Sequence, residues 1–289
     1  MSTDFGFLVG YNGSAFIQSN TTYKTSNSTV STTQLLVTSA SVVRSLNIPS
    51  VNSFYTAFSG DISAGGNEIP LTSIRLGYGV YNFSGNLNFE LTENAINTIC
   101  TDNFFNRNNL FHLTLMDGMK QLNISNCCWS SISFSYASNE IPTCSIAFLS
   151  NNATENDLSI INQGSPKLNT SNLIKYWNTG GKYVNSFNVS FSRNVSPIYH
   201  NGDLKTPSYL KPGKIDLSLD VTYLPFVTFS GGLSLKMGSG KTLTLSKSVV
   251  NEIMTNKQFN ITGLNDAGMK TYSFNAINDA VSGKTFSFS

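Results

Sequence analysis

Charged side chains are scarce in this chain of 289 residues. Asp, Glu, Lys and Arg together form 12% of it, which is about half of the usual share. The formal net charge is +2, so the sequence carries no basic footprint of the kind that sequence-specific nucleic-acid binding requires. That class of function is therefore not expected.

Long apolar runs are also absent. No stretch approaches the roughly 20 consecutive apolar residues of a membrane helix, and residues 1–30 contain no basic segment followed by an apolar one, as a secretory signal would. We therefore expect a chain that has no membrane segment and is not exported by the conventional route.

Cysteine and histidine are rare. The four cysteines all lie in the first half of the chain, and their spacing matches no zinc site; they are Cys100, Cys127, Cys128 and Cys144. A disulfide framework for a repeated fold would need counterparts in the second half, so we expect free thiols in a reducing compartment. Cys127 and Cys128 are adjacent and should lie on opposite faces of a strand.

Catalytic groupings are not visible either. The two histidines, His112 and His200, have no triad or metal partners nearby in the sequence, and His112 is predicted to be an ordinary strand residue. The acidic residues occur mostly beside Asn in turns, so no opposed carboxylate pair of the glycosidase type can be named. The sequence predicts no catalytic residue, no metal site and no cofactor, and we expect that the protein is not an enzyme.

One motif resembles the end of a phosphate-binding loop, namely Gly238-Ser-Gly-Lys-Thr242. The full motif needs a glycine where this chain has Leu235. It also needs a helix after the lysine, whereas Thr-Leu-Thr-Leu predicts a strand. Nucleotide binding is therefore not expected.

Apolar residues, in contrast, are plentiful. Hydrophobic residues form 40% of the chain and phenylalanine alone occurs 20 times, so the polar surface must consist largely of Asn, Ser and Thr. An uncharged surface rich in aromatic residues suggests that neighbouring subunits cover much of it. The alternative is a secreted protein, or a composition peculiar to its lineage.

The chain contains an internal repeat. Residues 51–63 begin with Val-Asn-Ser-Phe and return as residues 184–196, with Phe58, Ser59 and Ser63 also matched. Two further pairs follow in the same order, residues 85–91 with 213–219 and residues 116–125 with 237–246. Residues 85–91 and 213–219 each consist of a glycine followed by alternating polar and apolar residues. Residues 116–125 and 237–246 each predict a Gly-bearing turn that enters a strand.

The pattern predicts a mainly β protein, with two tandem antiparallel β-sandwich or barrel domains related by duplication. The domains are residues 1–150 and 151–289, each with about one short helix. The predicted strands are residues 54–62, 86–91, 110–115, 121–124, 131–136, 143–149, 187–195, 214–221, 242–245, 259–262, 271–274 and 285–288. The predicted helices are residues 33–46, residues 93–100 after the cap Thr92, and residues 171–177.

Several of these features together resemble the tail tube proteins of long-tailed bacteriophages. They are the glycine-led strand, the short helix, the Gly-turn hairpin and the run Ser131-Ile-Ser-Phe-Ser-Tyr136, followed by Asn-Glu-Ile-Pro-Thr-Cys-Ser-Ile-Ala-Phe at residues 139–148. The resemblance covers most of both halves loosely, although the second half lacks a clean equivalent of residues 139–148. It implies a β-sandwich or partly closed barrel flanked by a helix, in subunits that assemble as hexameric rings. Where two such domains are fused, three chains make the ring.

The resemblance leads to a functional expectation. The chain would be a structural virion protein of the tail, assembled in the host cytoplasm into trimeric, pseudo-hexameric rings that stack around a DNA channel. Its partners would be other copies of itself, other tail proteins and the genomic DNA in passage. Two alternatives are another tail component, such as a connector or distal tail protein, and a carbohydrate-binding or receptor-binding β-sandwich protein.

The two glycine-led strands also supply a candidate site. Their alternation sends one set of side chains to the core and the other to the opposite face. By the resemblance, we expect the polar set to line the channel; the alternative is that it faces solvent or a neighbouring subunit. This set is Asn86, Asn88, Glu90, Lys214, Asp216, Ser218 and Asp220.

Overall fold

A computed structural model of the chain describes a protein built almost entirely of β-strands. The described residues are 14–20, 33–47, 50–51, 75–76, 80–106, 109–116, 120–138, 140–157, 177–178, 182–199, 206–223, 233–237, 240–245, 254–260, 268–278 and 286–289. The mainly β class that the alternation predicts is confirmed.

The first half carries nine strands and one helix within its described residues. In chain order these are β1 (Ser14–Asn20), β2 (Thr33–Asn47), β3 (Ser50–Val51), β4 (Arg75–Leu76), β5 (Val80–Glu90), α1 (Glu93–Ile99), β6 (Leu110–Met116), β7 (Lys120–Ala137), β8 (Thr143–Ser150) and β9 (Asn152–Asp157).

The described residues of the second half form strands only. These are β10 (Trp177–Asn178), β11 (Lys182–Ser192), β12 (Val195–Ile198), β13 (Tyr209–Pro212), β14 (Ile215–Tyr223), β15 (Leu233–Met237), β16 (Lys241–Leu245), β17 (Met254–Asn260), β18 (Met269–Asn278) and β19 (Phe286–Phe288).

Six strands of the first half close into a barrel. Their order is β1, β2, β5, β8, β7 and β6, with β6 returning to β1, and every neighbouring pair is antiparallel. Closure pairs backbone groups that would otherwise be left on open sheet edges. β9 pairs with the first part of β7, so the sheet of the first half extends past the predicted domain boundary at residue 150.

The helix α1 confirms the predicted cap. The Thr92 hydroxyl accepts a hydrogen bond from the Ala95 N–H at 3.2 Å, which satisfies one of the free amide groups at the helix start. Ala95, Ile96 and Ile99 are buried. A short helix gains its stability from such burial rather than from its own hydrogen bonds.

The strands of the second half follow their own pairing path. β11 pairs with β10 and β14, β14 with β18, and β18 with β17; on the other side, β10 pairs with β15, β15 with β16, and β16 with β19. The short strands β12 and β13 form a separate hairpin, as β3 and β4 do in the first half.

β7 joins the two halves into one sheet. Its last part, from Ser131 to Ala137, pairs antiparallel with Ser192 to Ser186 of β11. Among the described residues, the result is a single sheet of 15 strands over a main core cluster that takes buried residues from both halves. Phe105 stands at the centre of this cluster, with ring centroids 4.6 Å from Phe191 and 4.9 Å from Phe288.

The four cysteines are buried and free, as predicted. Cys127 belongs to the main core, whereas Cys128 belongs to a smaller apolar cluster with Leu110, Val195 and Leu210. The adjacent thiols therefore lie on opposite faces of β7. Burial raises the pKa of both, well above the ordinary value for Cys127.

The helix predicted for residues 33–46 is wrong, because this segment is the strand β2. The prediction rested on the helical spacing of Leu35, Leu36, Val42, Val43 and Leu46. In β2, Leu35 and Val42 face the core, whereas Val43 is 40% exposed, so apolar residues on both faces of the strand imitated a helical stripe. A bulge between Val37 and Ser39 also interrupts the period of two by which a strand is recognised.

Other predicted elements are merged into one strand, replaced by a strand, or outside the described residues. The strands predicted at residues 121–124 and 131–136 are parts of the one strand β7. The predicted helix at residues 171–177 is described only at Trp177, which lies in β10. His200 and the predicted strand at residues 54–62 lie outside the described residues.

Gly85 offers a test of barrel packing. A Cβ atom there would lie 2.5 Å from the Ser41 carbonyl oxygen on β2 and 2.6 Å from Cζ of Phe148 on β8. We expect Gly85→Ala to lower the free energy of unfolding by about 1–3 kcal/mol, because a buried ring and a strand must both shift. Urea denaturation measures this loss.

The matched control is Gly240→Ala. A Cβ there would meet only the side chain of Asn97, whose oxygen would lie at 3.0 Å, and that exposed side chain can move. Its expected cost is below about 0.5 kcal/mol. Equal losses for the two variants would contradict the close packing around Gly85.

Candidate functional site: the polar face of the sheet

β5 and β14 alternate as the sequence predicts. Leu87 and Phe89 of β5 are buried, as are Ile215, Leu217 and Leu219 of β14. The predicted site residues take the positions between them: Asn86, Lys214, Asp216, Ser218 and Asp220 are exposed, and Asn88 and Glu90 are partly exposed. That these side chains line a channel stays a prediction.

The structure brings these two distant strands into one continuous surface. From one edge to the other, the strands run β2, β5, β8, β7, β11, β14, β18 and β17. β5 and β14 are thus separated by β8, β7 and β11, which the sequence prediction did not include. Residues directly opposite each other in paired strands project to the same face, so the registers show which side chains share a surface.

Two rows of polar side chains cross the sheet by direct pairing. The first consists of Ser39, Asn88, Ser145, Ser133, Ser190, Ser218 and Asn275. The second consists of Glu90, Thr143, Ser135, Asn188, Asp220 and Ser273. Together with the adjoining Ser41, Asn86, Ser131, Ser192, Lys214 and Asp216, these residues form what we call the polar face.

The polar face is made of short hydroxyl and amide groups. Hydrogen bonds link some of them across strands: Asn88 donates to the Ser39 hydroxyl at 2.8 Å. Just beyond the second row, the hydroxyls of Thr222 and Thr271 are 3.0 Å apart. Such pairs hold neighbouring strands in register.

Few charges stand on the polar face. Its named members include the carboxylates of Glu90, Asp216 and Asp220 and the ammonium of Lys214. Three negative charges and one positive charge give this surface a net charge of −2, opposite in sign to the net charge of +2 for the whole chain. The face therefore repels a polyanion weakly and offers it few cationic contacts.

Arg193 fixes the joint between β7 and β11, on which the continuity of the face depends. It is 4% exposed, and its guanidinium carbon lies 3.7 Å from the ring centroid of Trp129. Its Nε donates to the Trp129 carbonyl oxygen at 2.8 Å, and its backbone N–H donates to the Ser130 carbonyl at 2.8 Å. Nη2 lies 3.3 Å from the Cys128 sulfur. Burial still raises the pKa of this thiol, although the arginine opposes that shift.

The sequence prediction did not include the serines of β7 in the site, although a sequence pattern indicates their strand. Ser131, Ser133 and Ser135 alternate with Ile132 and Phe134 in the sequence. This alternation predicted the strand, but one strand alone does not reveal which others stand beside it. Long-range pairing through β11 was needed to place these serines between β5 and β14.

The residues considered for catalysis do not come together. Within the described ranges, no three His, Cys, Asp or Glu side chains are placed to hold a metal ion. His112 lies on β6, and its Nδ1 accepts a hydrogen bond from the backbone N–H of Asn126 at 3.2 Å. Lys241 begins the strand β16, so the helix that a phosphate-binding loop needs does not follow it.

Substitution of Arg193 tests the joint. We expect Arg193→Gln to lower the free energy of unfolding by about 2–3 kcal/mol, because buried charge-assisted hydrogen bonds and the contact with the Trp129 ring are lost. Guanidinium denaturation followed by tryptophan fluorescence measures the loss. Lys211→Gln is the control, since Lys211 is exposed on β13; equal effects would show that Arg193 does not stabilise the joint.

No model of a protein family matches the chain, and no curated protein matches its sequence. Among the described residues, no helix is both long enough and apolar enough to span a membrane.

Proposed function

We propose that the chain is a structural subunit whose copies form rings that stack into a tube, as in the tails of long-tailed bacteriophages, with the polar face lining a DNA channel. One observation carries the proposal: a sparsely charged surface rich in hydroxyl and amide groups continues across the sheet from the first half into the second. A conduit must not hold the phosphates that pass through it, and each cation that neutralises a phosphate adds affinity.

The proposal includes an internal duplication, which the pairing order supports. β1, β2, β5, β6, β8 and β9 correspond to β10, β11, β14, β15, β18 and β19 in chain order and in their mutual pairings. β7 corresponds to β16 and β17 taken together, because β16 pairs as its first part does and β17 as its last part does. The hairpin of β3 and β4 likewise corresponds to that of β12 and β13.

Bulges at matching places support the same duplication. β2 shifts register between Val37 and Ser39, and β11 does so between Val184 and Ser186. β7 shifts between Trp129 and Ser131 opposite Phe148, and β17 shifts between Met254 and Asn256 opposite Phe274. A bulge changes the direction of its strand, so repeated bulges indicate a repeated shape.

These registers give the repeat a different alignment from the one first read in the sequence. Residues 184–192 correspond to residues 37–45, with Val and Ser shared at four positions, rather than to residues 51–59. On β5 and β14, Phe89 corresponds to Tyr223 rather than to Leu217. Residues 120–125 keep their alignment with residues 241–246, but the strand before them shifts by one residue. Since Leu115 pairs with Leu122 and Leu235 pairs with Leu243, Met116 corresponds to Lys236 rather than to Met237.

The alternatives differ in what they need. A carbohydrate-binding protein presents aromatic platforms, but the exposed large apolar residues among those described are Val43, Ile141 and Ile198, none of them aromatic. A connector or distal tail protein could use the same surfaces as a tube subunit and would differ in stacking. In either tail role the protein would be part of the virion and would assemble in the host cytoplasm.

The assembly is tested by its mass. We expect the purified protein to form closed rings of three chains, so native mass spectrometry should find a species three times the 31.4 kDa of the chain. Six similar domains then surround one pseudo-sixfold axis, and closure covers the remaining sheet edges. Rings of six chains, or a monomer that persists at high concentration, would contradict this expectation; stacked rings in electron micrographs would favour a tube over a connector.

The channel lining is tested by charge. We expect assembled rings of the double variant Asp216→Lys and Asp220→Lys to retain linear duplex DNA, with a salt dependence that steepens by about 0.9 in log–log slope for each phosphate contacted. Closed circular DNA should not be retained, because it cannot enter a channel. Gel mobility at several salt concentrations measures both.

A matched control adds the same charge elsewhere. Asn94→Lys, Ser138→Lys and Glu140→Lys lie on α1 or in the turn between β7 and β8, and these positions are exposed. This variant should bind linear and circular DNA alike. If the polar-face variant also fails to distinguish the two forms of DNA, the face does not line a channel.

A further inference from the structure

The joint between β7 and β11 shows how one half of the chain attaches to the other. Along one edge, β7 first pairs with β6 and then, over residues 131–137, with β11. The corresponding edge of β11 pairs with β10 at residues 182–183 and with β7 at residues 186–192. Along this edge, β7 and β11 thus each pair first with a strand of their own half of the chain and then with each other.

The counterparts of these two strands are the outermost members of the run that carries the polar face. By the duplication proposed above, on which this inference rests, β2 corresponds to β11 and β17 to the last part of β7. β2 pairs with β1 at residues 33–35 and with β5 on its opposite edge. In the part of the chain that the structure describes, no strand pairs with residues 39–45 along the β1 edge, nor with β17 along the edge away from β18.

We propose that β17 of one chain pairs antiparallel with β2 of the next chain, as β7 pairs with β11 within a chain. The matched bulges fix the register. Ser135 lies opposite Asn188 in the internal joint, so Asn260 lies opposite Ser41 in the external one. By the same rule, Phe259 lies opposite Val42 and Asn256 opposite Ser45.

The contact is directional, because β17 and β2 are different strands of the same chain. A head-to-tail contact of this kind generates a ring if its rotation closes and a filament if it does not. The occupant of each edge is therefore another copy of this chain. The internal joint supplies the geometry of this contact between chains. An edge that is paired with the matching strand of another copy is no longer open to indiscriminate aggregation.

One pair in this register is unfavourable. Arg44 lies opposite Lys257, and like charges directly opposite each other in a sheet are destabilising. The Lys257 ammonium lies 5.9 Å from the centroid of the Tyr272 ring within its own chain. Reversing this charge with Lys257→Glu should therefore strengthen association between chains, by about two- to fivefold in the dissociation constant for a typical cross-strand pair.

Cysteine crosslinking tests the register directly. Opposite residues in an antiparallel pair have Cβ atoms about 4.5–5.5 Å apart, which is close enough for a disulfide after a small adjustment. The four native cysteines are buried, so they give little background. The full chain carrying Ser41→Cys and Asn260→Cys should form, under mild oxidation, covalent dimers and trimers, as a closed ring of three chains requires.

The single variants make the test specific. Ser41→Cys alone and Asn260→Cys alone should stay uncrosslinked, whereas their equimolar mixture should form dimers and nothing larger. Ser45→Cys with Asn256→Cys is a second pair in the same register, for use if the first pair impairs folding. Ser41→Cys with Asn94→Cys is the control, because Asn94 is exposed on α1 and belongs to neither strand of the joint.

The outcomes separate this inference from the proposed function. Dimers in the mixed sample and no crosslinks in the control support the joint between β17 and β2. If native mass spectrometry shows rings while neither pair crosslinks, or if Ser41→Cys crosslinks to itself, the joint is wrong and the ring remains. If no association occurs at any concentration, the proposed tube function fails as well.

Discussion

The pairing of β7 with β11 is the interaction on which the rest of the structure depends. It turns a closed barrel and a second set of strands into a single sheet with one main core. Arg193 secures it from within, with its guanidinium stacked on Trp129 and hydrogen-bonded to the backbone at the β7 bulge. If this pairing were absent, β5 and β14 would belong to separate sheets, and their polar side chains would share no surface.

Local patterns in the sequence predict much of this architecture. The alternation in β5 and β14 indicates both the strands and the face that each buries, and Thr92 correctly marks the start of α1. The strands predicted to begin near Lys120 and Lys241, after glycine-containing segments of the sequence, are likewise found. These features depend on neighbours within a few residues, so a short window of sequence contains the information that determines them.

The remaining features depend on partners that are far away in the chain. The bulge in β2 is defined only against β5, and it allows Leu35, Val37, Ala40 and Val42 to face the core together although their spacing is not a strict period of two. The counterpart that we propose for residues 184–192 rests on bulges and registers, since Asn and Ser are common enough in the sequence to suggest other matches. The polar face, too, is assembled from strands that no local pattern brings together.

The strands β7 and β11 pair although they are far apart in the sequence, and this separation sets an order of events during synthesis. The edge of β7 that β11 covers is complete at Ala137, but its partner strand ends at Ser192. At translation rates of about 5–20 residues per second, the intervening roughly 50 residues take several seconds to appear. The sheet that carries the polar face therefore cannot be completed across this joint until β11 has been synthesised.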